Sequence, residues 1–181
     1  MKVIVTLAKV HTSPHPKAGE PTRFAEMVKS GRKIHTCRDN FPYWKGKLDS
    51  LKDNGGTLCV REWTGRPYRS PQGNVAELDA NLVEIERLDI HRRERPAGKK
   101  QRYYVPDIHP EDYTFDIDGQ PVDEATARRI AENDGFISLE DFLTYFDLQF
   151  NKAEPDTDNP DVKTLTLALI HFRPFRYGRQ N

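Results

Sequence analysis

The chain has little cysteine: Cys37 and Cys59 are the only two in 181 residues, which excludes a disulfide scaffold. Two such thiols are expected to stay reduced, as in a cytoplasmic protein. No cysteine–histidine spacing of a metal site is present, and neither a metal nor a cofactor is expected. His11 and His15 stand four apart, but Pro14 and Pro16 preclude the helix that would turn both to one ion. The run NDGFISLED suggests half a calcium loop. Setting Gly135 at the sixth position, however, puts Ile130 where the first carboxylate belongs and Asp141 where a bidentate Glu belongs. No apolar run approaches the roughly 18–20 residues of a membrane span, so no membrane partner is expected. The opening MKVIVTLAKVHT lacks a small-residue cleavage site and reads as a first strand, not a secretory signal.

Net charge is absent only on average. Residues 1–110 carry 21 Lys+Arg against 13 Asp+Glu, residues 111–162 carry 3 against 15, and residues 163–181 carry 4 against none. A basic part beside an acidic part suits a nucleic-acid partner, but equally two halves that pair with each other, or a dimer. Oligomeric state is left open. The length and a hydrophobic content of 36% fit one domain over residues 1–181 with a true core.

Reactive side chains concentrate between Arg23 and Lys47. A helix is expected from Thr22 to Lys29, with Thr22 as cap and Phe24, Met27 and Val28 on one face. Gly31 suits the left-handed residue that ends it. Arg32, Lys33, His35, Thr36 and Arg38 follow within seven residues, in a strand-like run that sends Lys33 and His35 one way and Ile34 and Thr36 the other. An ordinary role for these cations is solvation and helix-dipole compensation. Phe41-Pro42-Tyr43 reads as an aromatic loop before Trp44 and Lys45, and Lys45 to Asp53 as a helix.

Strands are expected over Thr57–Thr64, Asn81–Ile90, Tyr103–Pro106, Tyr113–Val122 (with a turn at Asp118-Gly119) and Val162–Phe172. Helices are expected over Asp123–Asn133 and after Ser138, which fits a capping box with Asp141. Arg61, Trp63, Arg66, Tyr68 and Arg69 interleave arginine with aromatics, the mixture that a single-stranded nucleic-acid groove uses for stacking and phosphate contact. Trp63 as a core residue with snorkelling arginines is the plain alternative. His91 to Arg102 reads as a flexible basic loop, and Arg173, Arg176 and Arg179 close the chain beside Phe175 and Tyr177.

HPKAGEPTRF (His15–Phe24), GRKIHTCR (Gly31–Arg38) and YWKGKL (Tyr43–Leu48) together resemble the opening of an ASCH domain, a branch of the PUA-like β-barrel superfamily. Its helix, glycine and K-x-x-T-x-R-like segment are matched by Gly31, Lys33, Thr36 and Arg38. GFISLEDFLTYF (Gly135–Phe146) and IHFRPFRY (Ile170–Tyr177) are similar to the closing helix and last strand of an uncharacterised bacterial and phage subgroup; residues 89–124 match least. The resemblance implies an α+β fold, a PUA-like β-barrel flanked by helices. It also implies two kinds of function. One is binding of RNA or a modified nucleoside in a basic, aromatic cleft lined by Arg32, Lys33, Thr36, Arg38, Trp44, Lys45, Arg61, Trp63, Arg66 and Tyr68. The other is an amidohydrolase acting on an acylated nucleoside such as N4-acetylcytidine, through lysine, threonine and glutamate. Lys33 and Thr36 fall on the first two positions; for the carboxylate the candidates are Asp134 and Glu132. A protein-interaction module without catalysis is the third reading.

Overall fold

A computed structural model describes residues 1–95 and 106–178. In chain order the elements are β1 (Lys2–Leu7), α1 (Phe24–Lys29), β2 (His35–Asp39), α2 (Phe41–Asp53), β3 (Thr57–Trp63), β4 (Gln72–Asp79), β5 (Glu84–Arg93), β6 (Tyr113–Ile117), β7 (Gln120–Val122), α3 (Glu124–Asn133), α4 (Leu139–Lys152) and β8 (Val162–His171). The class is α+β. One sheet has the order β1-β3-β4, with β1 parallel to β3; the other has the order β2-β8-β5-β6-β7 and is antiparallel throughout. Among the described residues, strand pairing gives these two sheets and no closed ring of strands.

Local chemistry accounts for most elements. β1 alternates, burying Val3, Val5 and Leu7. Asp118 and Gly119 both take positive φ, 49° and 78°, as the two-residue turn between β6 and β7 requires. Asp123 caps α3 by accepting from the Thr126 amide at 2.8 Å, and Ser138 caps α4 by accepting from Asp141 at 3.1 Å. Phe142, Phe146 and Phe150 of α4 are buried in a core shared by both sheets and all four helices.

Four expectations are corrected. α1 starts at Phe24, because the Thr22 hydroxyl donates to the Ala8 carbonyl at 2.5 Å and Arg23 occupies the cap position without a side-chain cap bond, its guanidinium pairing with Glu26 instead. The aromatic segment 41–43 is the first turn of α2, not a loop: Asn40 accepts from the Tyr43 amide at 3.2 Å, and Pro42 sits where no amide partner is needed. β4 was not expected, since QGNVAELD is polar and carries one β-branched residue; its pairing with β3 forms it. β5 also starts later than expected, after a 3-10 turn at Ala80–Leu82. The expected strand at 103–105, the loop residues 96–102 and Arg179 lie outside the described residues.

Much of the charge division is resolved within the chain. Arg92 pairs with Asp147 at 2.9 Å, Arg93 with Asp112 at 3.0 Å, Arg95 with Glu111 at 3.0 Å and Lys17 with Asp141 at 2.7 Å. The described part of the basic loop is therefore paired to the acidic half.

No helix forms between His11 and His15, as the prolines require, yet the two side chains meet. Their rings stack with centroids 4.5 Å apart, each packs edge-on against Tyr145 of α4, and both are buried. Burial pushes both imidazoles below the ordinary 6.5, and for His11 the neighbouring His15 adds to this. Below 6.5 the unfolded chain then binds protons that the folded chain does not. The stability these residues contribute is present above that value and lost as pH falls through the lowered pKa values. We expect the melting temperature to fall between about pH 7 and about pH 5, and the His11→Gln/His15→Gln variant to fall less steeply. Equal slopes in a thermal-melt series would refute this account.

Candidate functional site

The site forms where the segment leaving α1 meets the end of α3. Arg32 and Lys33 both donate their amides to the Met27 carbonyl, at 2.9 and 3.0 Å, so the chain stays wound past Gly31, whose φ is +75°. β2 begins only at His35, so strand alternation does not reach Lys33. Lys33 and Thr36, expected on opposite faces, consequently line the same pocket.

Lys33 is buried, 2% exposed, above the Phe24 ring at 4.4 Å. Its ammonium is bonded to both a carboxylate oxygen (Oδ1) and the main-chain carbonyl of Asp134. The other oxygen, Oδ2, accepts from the Cys37 amide at 3.1 Å. Asp134 ends α3, and Gly135 turns the chain away at φ +94°. A Cβ there would stand 3.0 Å from the Met27 sulfur and 3.1 Å from the Phe24 ring, so a side chain would press both neighbours back at a φ that itself favours glycine. The calcium-like run is thus a helix end followed by the cap of the next helix. Glu132, the other carboxylate candidate, is exposed on α3.

The Thr36 hydroxyl accepts from Arg38 Nη1 at 2.9 Å, and the same guanidinium reaches the carbonyls of Cys37 and Thr6. Leu7, Ala8, Phe136, Tyr145 and Phe146 complete the walls around a cavity of about 10 Å³, room for about one water. Burial pushes the Lys33 amine down against the pull of Asp134, and burial pushes the Cys37 thiol well up.

The remaining expected residues divide. Arg61 pairs in register with Thr6, and Gln72, opposite Trp63, donates to the Thr6 hydroxyl at 3.2 Å. Trp63 meets the ring of Tyr68 with centroids 5.3 Å apart. Tyr68 is 90% exposed at a positive φ of 62°, and Arg66 is exposed on the same hairpin. Because paired residues in adjoining strands point to the same side, Arg61 and Trp63 share the face of the Thr6 side chain, and Tyr68 joins it through the Trp63 ring. Arg38, by contrast, touches only the main-chain carbonyl of Thr6. Arg32 is exposed, Trp44 packs against the core from α2, and Lys45 is ion-paired with Asp49 at 2.6 Å. Among the described contacts, none brings these three to the pocket.

Sequence reasoning gave no role to His35, Cys37, His171, Glu86 or Tyr177. His35 Nε2 lies 2.9 Å from the Tyr177 hydroxyl, which also accepts from Asn133 at 2.7 Å. His171 and Glu86 are both fully buried and bonded at 2.8 Å. Burial works to raise the Glu86 carboxyl, but bonds from His171 and from the Gly178 and Tyr177 amides hold it below the usual range. The alternation of HTCRD put His35 and Cys37 on one face; Asp134, 97 residues beyond Cys37, had no local signal.

Replacing Asp134 by alanine strands a buried amine. We expect Asp134→Ala to lose about 3–5 kcal/mol of stability in urea unfolding, and Lys33→Met/Asp134→Leu to recover most of it. A loss below about 1 kcal/mol for Asp134→Ala would show that the pair does not hold this region.

No family model, no curated protein and no solved structure matches this chain.

Proposed function

We propose that the chain is an ASCH-type, PUA-like protein whose Lys33–Thr36–Asp134 pocket hydrolyses a small acyl amide on a nucleoside. The observation carrying this reading is the buried Lys33–Asp134 pair in one pocket with Thr36, whose hydroxyl is held by Arg38. The resemblance through Gly31, Lys33, Thr36 and Arg38 supports the same reading, with the buried Asp134, one of the two candidates, serving in place of that family's glutamate.

Each group has a chemical task. Burial lowers the Lys33 amine toward the neutral form that takes a proton, while Asp134 orients it. Thr36 Oγ attacks the acyl carbon as its proton passes to Lys33, and the C–N bond breaks as that proton moves to the leaving amine. Water then cleaves the threonine ester, releasing the carboxylic acid and restoring the hydroxyl. Arg38 stabilises negative charge on Thr36 Oγ and excludes other rotamers. A cavity of about 10 Å³ admits an acyl group only after the side chains around it part, and leaves the nucleoside outside, beside Arg38.

Incubation with N4-acetylcytidine is expected to release cytidine and acetate, and Thr36→Ala to lower kcat about 1000-fold or more, with Arg66→Ala near wild type. No turnover of N4-acylated cytidines by folded protein, or unchanged turnover in Thr36→Ala, would overturn the reading.

Binding of single-stranded RNA without chemistry is the second reading, favoured by the exposed Tyr68 ring beside Trp63 and its arginines. Fluorescence anisotropy with an RNA oligonucleotide should then give an affinity that falls with salt, with log–log slope of about −2 for three phosphate contacts. Tyr68→Ala should weaken it roughly 5- to 150-fold, the worth of one stacked base. A flat salt response excludes it.

A further inference from the structure

We infer that His35, Cys37 and Asp134 form a buried binding site for one zinc-class divalent cation. This does not rest on the hydrolase reading. The imidazole nitrogen, the thiol sulfur and a carboxylate oxygen all lie within 4.8 Å of one another, and the three residues are 0%, 3% and 2% exposed. β2 puts His35 and Cys37 on one side by its period of two, and the end of α3 delivers Asp134 to it.

The second observation is an unpartnered lone pair. His35 Nδ1 is buried with no hydrogen-bond partner and stands 4.0 Å from Asp134 Oδ2. An imidazole that binds a metal is neutral and carries its one proton on the nitrogen away from the ion. On Nε2 that proton is donated to the Tyr177 hydroxyl at 2.9 Å, itself fixed by Asn133, which is the outer-shell arrangement that orients a metal-binding histidine. Nδ1 then turns a lone pair toward an anionic oxygen in a dry interior. A cation between the two converts that repulsion into two bonds.

The donor set selects the ion. Thiolate, imidazole and one carboxylate suit a borderline-soft ion with tetrahedral preference and leave a fourth position free, the pattern of zinc. Ideal bond lengths require about 3.4 Å between the nitrogen and oxygen donors, so the observed 4.0 Å closes by a small side-chain shift. Binding takes the proton from Cys37 Sγ, which leaves to solvent as the sulfur–metal bond forms. Asp134 Oδ1 stays with Lys33, the rival cation, while Oδ2 faces the ion.

The test is a titration of metal-stripped full-length protein with Co²⁺. One equivalent should produce tetrahedral visible bands and a near-ultraviolet thiolate-to-cobalt band, both removed by Zn²⁺. Cys37→Ser should lose the near-ultraviolet band and bind more than tenfold more weakly, whereas Cys59→Ser should match wild type. Tyr177→Phe should weaken binding and keep the band. Absence of a saturable cobalt spectrum in the wild type, or a thiolate band that survives Cys37→Ser, overturns the proposal. The wild-type spectrum decides even if the Cys37 variant fails to fold. Because the readout is spectroscopic, failure here leaves the hydrolase result standing, and the reverse.

Discussion

The bond between Lys33 and Asp134 is the constraint on which this region depends. An isolated charge in a dry interior costs several kcal/mol, so neither side chain is tolerable there without the other. The pair joins residues 101 positions apart and ties the exit of α1 to the end of α3. From that point the rest is positioned. The second carboxylate oxygen holds the Cys37 amide, which sets the start of β2, and β2 in turn presents Thr36 and Arg38. Gly135 belongs to the same arrangement, because a residue without a side chain lets α3 stop against Phe24 and Met27 without pressing them back.

The elements legible in the sequence were those with strong local signals. Ser138, Gly31 and the Asp118-Gly119 turn announced a helix start, a helix end and a hairpin, and each stands where its chemistry indicates. β4 was invisible because its identity lies in its partner strand. The first turn of α2 was obscured because Pro42 reads as a breaker unless Asn40 is recognised as its cap. At the site, the K-x-x-T spacing pointed to Lys33 and Thr36 while strand alternation put them on opposite faces. The backbone settles this by staying wound until His35. Asp134 over Glu132 could not have been chosen from spacing alone, since one is buried and the other exposed only once α3 has docked.

Formal neutrality also has a structural meaning. Much of what looks in sequence like a basic half seeking an acidic partner is satisfied inside the fold, by Arg92, Arg93 and Arg95 against Asp147, Asp112 and Glu111. The cations on the hairpin after β3 are a different population. Arg66 and Arg69 are exposed there, on the hairpin that carries the exposed Tyr68 ring against Trp63.

Among the described residues, the strand that bears the site, β2, has a single hydrogen-bonded neighbour, β8, with His35 opposite His171. Such a pairing closes a loop of well over a hundred residues, so its entropy cost falls late, after local hairpins and helices have formed. On the ribosome, the pocket therefore stays unassembled until synthesis has passed His171. The nascent chain exposes the apolar face of α4 before β8 exists, and through that interval Phe142, Phe146 and Phe150 are the surface open to aggregation or to a chaperone.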